Sequence, residues 1–254
     1  SNLTPSATLR GAIVPTRIST DTPTATSTAT DTPTPTSTPT DTSTPTTTPS
    51  NTPTPTATDT ETPTPTLTPT INQTQVADNI DTGDTFIDLG SLDRAIESYT
   101  AAIELDPEAT DAYLGRGLAF YRSGQYEPAI EDFDTVIELE PDYIDAYFNR
   151  GLTHMELVNA EEAFNDFTTV TDFDPEDYEA YYYLAILHFD EDESDEGLEN
   201  IEIALELNPR FEEAFAARAM YYYLNEDYEN ALPDLESYVN IAGTDASEDL
   251  VNLL

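Results

Sequence analysis

The chain has 254 residues and a formal charge of -43, from 51 Asp and Glu against eight basic residues, all of them Arg. A nucleic-acid duplex or an anionic membrane would repel that charge, so the expected partners are neutral or locally basic polypeptides, with no nucleic acid. The absence of Cys excludes disulfides, thiol catalysis and thiolate zinc sites, and no run approaches the roughly 18 consecutive apolar residues of a membrane-spanning helix.

Residues 1–20, SNLTPSATLRGAIVPTRIST, form an apolar and basic segment with no acid. Its candidate docking residues are Leu9, Arg10, Ile13, Val14, Arg17 and Ile18. By contrast, residues 71–254 hold 46 acids (all but the five in residues 21–70) against six Arg, a net charge of -40. An apolar cationic peptide tethered to so acidic a partner suggests self-recognition, and a contact between unlike surfaces propagates into rings or fibres. The sequence opens on Ser1 rather than Met, which fits export after loss of an upstream targeting or anchoring segment; residues 1–20 would then be the remnant beside it.

Residues 21–70 are low-complexity. Every even position is Thr except Ser50, and Thr47 brings the total to 25 Thr, interleaved with 11 Pro. Asp21, Asp31, Asp41, Asn51 and Glu61 open five related decapeptides. Proline fixes φ and removes donors while β-branched threonine stiffens the rest, so an extended tract is expected, reaching roughly 150 Å at about 3.1 Å per residue. Ser/Thr-rich sequence with Pro is also the composition of O-glycosylated stalks. The candidate acceptors are Thr22, Thr24, Thr32, Thr34, Thr36, Thr52, Thr54, Thr62, Thr64 and Thr66, and covalent glycans are the only non-protein groups expected; no cofactor is. An unmodified linker is the alternative. Asn2-Leu3-Thr4 and Asn72-Gln73-Thr74 match the N-glycosylation triplet, a weak signal.

From residue 71 a 34-residue step takes over: Pro107, Pro141, Pro175, Pro209 and then Gly243. Twenty-four residues before each lies a small residue (Gly83, Gly117, Gly151, Ala185, Ala219), and twelve before lies Ala95, Ala129, Ala163, Gly197 or Ala231. Eight before lies a large one: Tyr99, Phe133, Phe167, Ile201 or Leu235. Small residues allow close helix approach and large ones fill the gap, so each unit reads as a helical hairpin. Asp93, Glu127, Glu161, Asp195 and Glu229 mark the starts of the second helices, where a negative charge meets the positive end of the helix dipole. Pro128 fits a first helical turn; Pro233 lies deeper and predicts a distorted fifth repeat.

These columns, seen together in DAYLGRGLAFYRSGQYEPAIEDFDTVIELEP (residues 111–141), resemble the tetratricopeptide repeat. The resemblance implies an all-α solenoid of about five hairpins over residues 71–243. Repeat one departs from it, with Asn79 where the others have Tyr113, Tyr147, Tyr181 and Phe215. Residues 244–254 read as a capping helix, with Asp245 and Glu248 in a capping box and Leu250, Val251 and Leu254 on one face.

In that family the first helix of each hairpin lines a concave peptide-binding groove. Carried over, the groove consists of Leu114, Leu118 and Tyr121; Phe148, Leu152 and Met155; Tyr182, Ile186 and Phe189; and Met220 and Tyr223. It is expected to be apolar and aromatic, rimmed by Asp111, Asp145, Glu179 and Glu213, although Leu114, Phe148 and Tyr182 at the fifth helix position and Leu118, Leu152, Ile186 and Met220 at the ninth could equally pack inside the array, unlike the twelfth-position residues Tyr121, Met155, Phe189 and Tyr223. The Lys, Arg and Asn clamp with which some relatives hold a C-terminal carboxylate is missing. His154 and His188 share one column and are expected to pack between helices rather than bind metal. The acidic run 190–196 lacks an EF-hand glycine and reads as a solvated loop, with loose calcium binding as the minor alternative. No nucleophile with a base, and no phosphate-cradling loop, is present, so no enzyme is expected. The resulting expectation is a structural subunit of an extracellular or cell-surface glycosylated fibre, assembled head to tail. The alternative is a tethered or periplasmic adaptor that binds a peptide of another protein.

Overall fold

The computed structural model of the protein describes residues 72–191, 193–243 and 246–253, without the side chain of Asp249. The candidate docking tail, the candidate glycosylated threonines and Asp245 lie outside the described residues. Five antiparallel hairpins follow one another: α1 (Gln73–Asp88) with α2 (Leu92–Leu105), α3 (Thr110–Arg122) with α4 (Tyr126–Leu139), α5 (Ile144–Glu156) with α6 (Ala160–Phe173), α7 (Tyr178–Asp190) with α8 (Ser194–Leu207), and α9 (Glu212–Leu224) with α10 (Tyr228–Ala242). A single turn, α11 (Glu248–Val251), follows. No strand occurs among the described residues.

The small and large columns explain how each hairpin closes. A Cβ on Gly83 would stand 2.6 Å from the Tyr99 ring, and one on Gly117 2.7 Å from Phe133. At the corresponding positions of repeats four and five, where alanine replaces glycine, the partners are the smaller Ile201 and Leu235. The glycines are therefore present to admit an aromatic ring, and the exchange conserves packed volume. Each second helix carries its acid, Asp93, Glu127, Glu161, Asp195 or Glu229, in the first turn, as the charge pattern predicts. Between the two helices of a hairpin the chain reverses through a left-handed residue: Gly90 (φ 67), Gly124 (φ 76), Val158 (φ 61) and Glu226 (φ 60). Val158 is a β-branched residue at a position that suits glycine, and it is 69% exposed.

Helix α7 differs from the other first helices. Its middle is apolar on every side, with Tyr182, Tyr183, Leu184, Ala185, Ile186 and Leu187 all buried. Tyr183 lies stacked on Phe167 of the preceding repeat, ring centroids 5.0 Å apart.

Helix α10 runs from Tyr228 to Ala242 with Pro233 inside it as its sixth residue. One sequence expectation needs correcting. The capping segment is shorter than expected. Its helix is Glu248–Val251, preceded by Ser247, and Leu250 is buried at 1% exposure whereas Val251 is exposed.

Candidate functional site

The family resemblance assigns the first-helix columns to an open apolar groove, and most of them do not line one. Leu114, Leu118, Phe148, Leu152, Tyr182, Ile186 and Met220 are all buried, each between 1% and 8% exposed. They belong to the core clusters that join successive hairpins. Phe148, for example, meets the ring of Tyr183 on the next first helix edge-on at 5.7 Å and that of Phe167 at 5.6 Å. Of the twelfth-position residues, Phe189 is buried and stacked on Tyr221 at 4.6 Å, whereas Tyr121, Met155 and Tyr223 are half-buried. Tyr121 lies 5.8 Å from the Tyr126 ring, and the Tyr126 hydroxyl donates to Glu156 in the next repeat. Tyr223 meets Tyr228 at 5.5 Å. Of the assigned groove residues, Tyr121, Met155 and Tyr223 are thus the ones that keep part of their side chains at the surface.

The acidic rim is partly submerged. Asp111 and Asp145 are exposed, Glu213 is half-buried and Glu179 is buried. Partial desolvation pushes the carboxyls of Asp111 and Glu213 above the usual range, although the Tyr143 hydroxyl, 3.4 Å away, pulls Asp111 back down.

The array contains a second charge column, absent from the candidate sites drawn from the sequence. Arg116, Arg150 and Arg218 occupy one position of repeats two, three and five, and each is bridged to an aspartate sixteen residues on. Arg116 donates through Nε and Nη2 to Asp132 at 2.8 and 2.7 Å, and Arg218 likewise to Asp234 at 2.7 and 2.8 Å. Arg150 reaches Asp166 at 3.0 and 2.6 Å and also pairs with Asp134 of the preceding hairpin. The three aspartate side chains are only 5–7% exposed. Burial raises the Asp132 and Asp166 carboxyls more than their arginines lower them, while the hydrogen bonds to aspartate raise the guanidiniums. In repeat four, Leu184 and Asn200 replace the pair. The signal is arginine at a 34-residue step with aspartate sixteen later, and it is a structural signal rather than a ligand-binding one.

Each inward arginine is matched by an inward aspartate, so the bridges are neutral as pairs and the remaining groups carry the whole of the -40.

The two histidines are packed, as expected. His154 Nδ1 lies 3.4 Å from Asn159 Nδ2, and burial pulls its imidazole below the ordinary value. His188 sits edge-on to Phe164 at 5.2 Å with Nδ1 2.7 Å from Glu193 Oε2. His188 borders a cavity of about 530 Å³ between α6 and α7, floored by Ala160, Phe164 and Leu187 and rimmed by Glu161, Glu191 and Glu193. Its origin is Ala160, which stands where the earlier hairpins have Leu92 and Tyr126. Among the described residues no group of three or more His, Asp or Glu is arranged to hold a metal ion. No helix among them is long and apolar enough to cross a membrane.

Comparison with known proteins agrees with the hairpin geometry. The family model described as TPR repeat matches residues 83–124 and 117–158, and two described as tetratricopeptide repeat match residues 144–177 and 184–247. No curated protein matches the chain. Among solved structures, MamA from Desulfovibrio magneticus RS-1 aligns over 68% of this chain and 98% of its own, at 18% identity and a TM-score of 0.62. The pilF protein of Pseudomonas aeruginosa aligns over 71% and 82%, at 18% identity and a TM-score of 0.64. YrrB, described as a TPR protein with an unusual peptide-binding site, aligns over 71% and 92%, at 23% identity and a TM-score of 0.57. At these identities the likeness is one of fold. With family models matching most of the hairpin region, the chain belongs to the tetratricopeptide-repeat family.

Proposed function

We propose that this protein is a structural subunit of an extracellular fibre, O-glycosylated along residues 21–70 and assembled head to tail through contacts made by its hairpin array. The supporting observation is a charge division within one chain. Residues 71–254 carry -40, whereas residues 1–20 carry two arginines, five large aliphatic side chains and no acid. Such a segment is attracted to an acidic surface, and its aliphatic side chains favour a contact that excludes water. The Thr/Pro composition between them supplies a spacer, and sugars on closely spaced threonines would stiffen it.

Electron microscopy of native material, with mass spectrometry of the peptides spanning residues 21–70, tests this reading. Filaments with hexose-bearing threonines are the expected result. Single particles with unmodified threonines overturn it, and a stoichiometric second protein on the array points instead to an adaptor.

A further inference from the structure

The two ends of the array are built differently. Inside it, the first two turns of each second helix are met by the first helix of the following hairpin. Leu92 and Ile96 pack in one cluster with Ala119, Tyr126 donates to Glu156, and Phe164 meets His188. One period further on, Tyr228 and Leu232 stand at the equivalent places of α10, where no first helix meets them among the described residues, and they are 58% and 45% exposed against 37% for Phe164. Leu224, at the end of α9, adds a third apolar side chain at 40% exposure. The terminal turn α11 covers only the other half of α10. Its Leu250 shares a cluster with Tyr238, against which Val239, Ala242, Ala246 and Leu253 pack, and the Ser247 N–H donates to the Tyr238 hydroxyl at 2.7 Å.

The opposite end cannot cover this face. Helix α1 carries exposed Asp78 at the position where later first helices have the fully buried Ala112, Ala146, Ala180 and Ala214. Asp81 and Thr85, also exposed, continue that polar stripe. It is the solvated end expected of a solenoid. Setting it against α10, where Glu226, Glu229 and Glu236 are exposed, would oppose acid to acid and leave the apolar side chains facing polar ones. Two arrays therefore do not continue one another by direct stacking.

We infer that the open half of α10 is a docking surface for residues 1–20 of a second copy of this chain. The segment has what the surface lacks: Leu9, Ile13, Val14 and Ile18 against Leu224, Tyr228 and Leu232, and Arg10 and Arg17 for the surrounding glutamates. A second copy is specified by the head-to-tail reading, and the double variant below separates it from closure within one chain. This inference rests on the head-to-tail reading above and names the surface that would carry it.

The chain has no cysteine, so single-cysteine variants of the full-length protein report the contact directly. Ile13→Cys is mixed with Leu232→Cys, and separately with Thr85→Cys at the polar end; all three positions tolerate change because they lie on the surface or in the tail. Under mild oxidation the first pair is expected to give a disulfide-linked heterodimer at least about tenfold faster than the second. Equal rates overturn the inference, as does a double variant, Ile13→Cys with Leu232→Cys, that closes within one chain faster than between chains. If chains assemble without this cross-link, the fibre stands and this surface fails. If the cross-link forms in dimers that grow no further, the surface stands and the fibre fails.

Discussion

Repeat three offers a direct test of what the inward-facing arginines contribute. Asp166 receives two hydrogen bonds from Arg150 and its side chain is 5% exposed, so Asp166→Asn leaves a guanidinium that is only 21% exposed with Asp134 as its sole anion. Breaking a buried pair costs about 3–5 kcal/mol, and the surviving partner together with the residual solvent contact places this variant near the lower bound, at about 3 kcal/mol. Arg150→Leu strands the carboxylate instead, at about 4 kcal/mol, moderated by proton uptake because burial already raises that group. The double variant reproduces the Leu184 and Asn200 pair with which repeat four replaces the bridge, and replacing both partners of an ion pair is close to neutral. It should cost no more than about 1–2 kcal/mol, well below the sum of the single changes. Urea unfolding followed by circular dichroism and tyrosine fluorescence reads this as midpoint shifts of roughly 1–2 M for either single variant and much less for the double. A double variant as destabilised as the sum of the singles would refute the reasoning, because it would mean that the pair is not coupled.

Gly117→Ala places a methyl 2.7 Å from Phe133 and is expected to cost about 1–3 kcal/mol, with Phe133→Leu in the same chain relieving most of it; thermal denaturation of the three variants decides. Val158→Gly should raise stability by about 1 kcal/mol by removing a β-branched residue from left-handed backbone, seen as a higher urea midpoint. The carboxyls of Asp111, Asp132, Asp166 and Glu213 all have folded-state pKa values above their ordinary ones, so the folded state holds their protons more tightly. Stability therefore rises as pH falls through the window just above the usual carboxylate range, and the melting temperature should be higher near about pH 5 than near about pH 7. His154 acts in the opposite sense, since its lowered pKa means that protonation below about pH 6.5 favours unfolding; His154→Phe should steepen the gain on acidification.

The architecture was legible because each hairpin repeats the same steric problem every 34 residues, and each solution leaves a trace. Gly83, Gly117 and Gly151 accompany aromatic partners, and Asp93 or Glu127 announces a helix start. The groove was not legible for a reason intrinsic to the fold. An apolar residue on a first helix has the same spacing whether it meets a ligand or the core between hairpins, and Leu118 and Ile186 lie buried in that core. The arginine bridges are written plainly in the sequence, and they change as a pair at Leu184 and Asn200, but on its own each arginine passes for a surface charge. The terminal helix is confined to Glu248–Val251, where Leu250 enters the α10 core and the Ser247 N–H is bonded to the Tyr238 hydroxyl.

The central claim is that residues 1–20 join one copy of this chain to another. Sedimentation velocity of the full-length protein beside a form lacking those residues, at matched concentration and over a range of salt, measures it most directly. Concentration-dependent growth of the full chain, weakened by salt and abolished by the deletion, is the predicted result. Identical, concentration-independent sedimentation of the two would contradict the account.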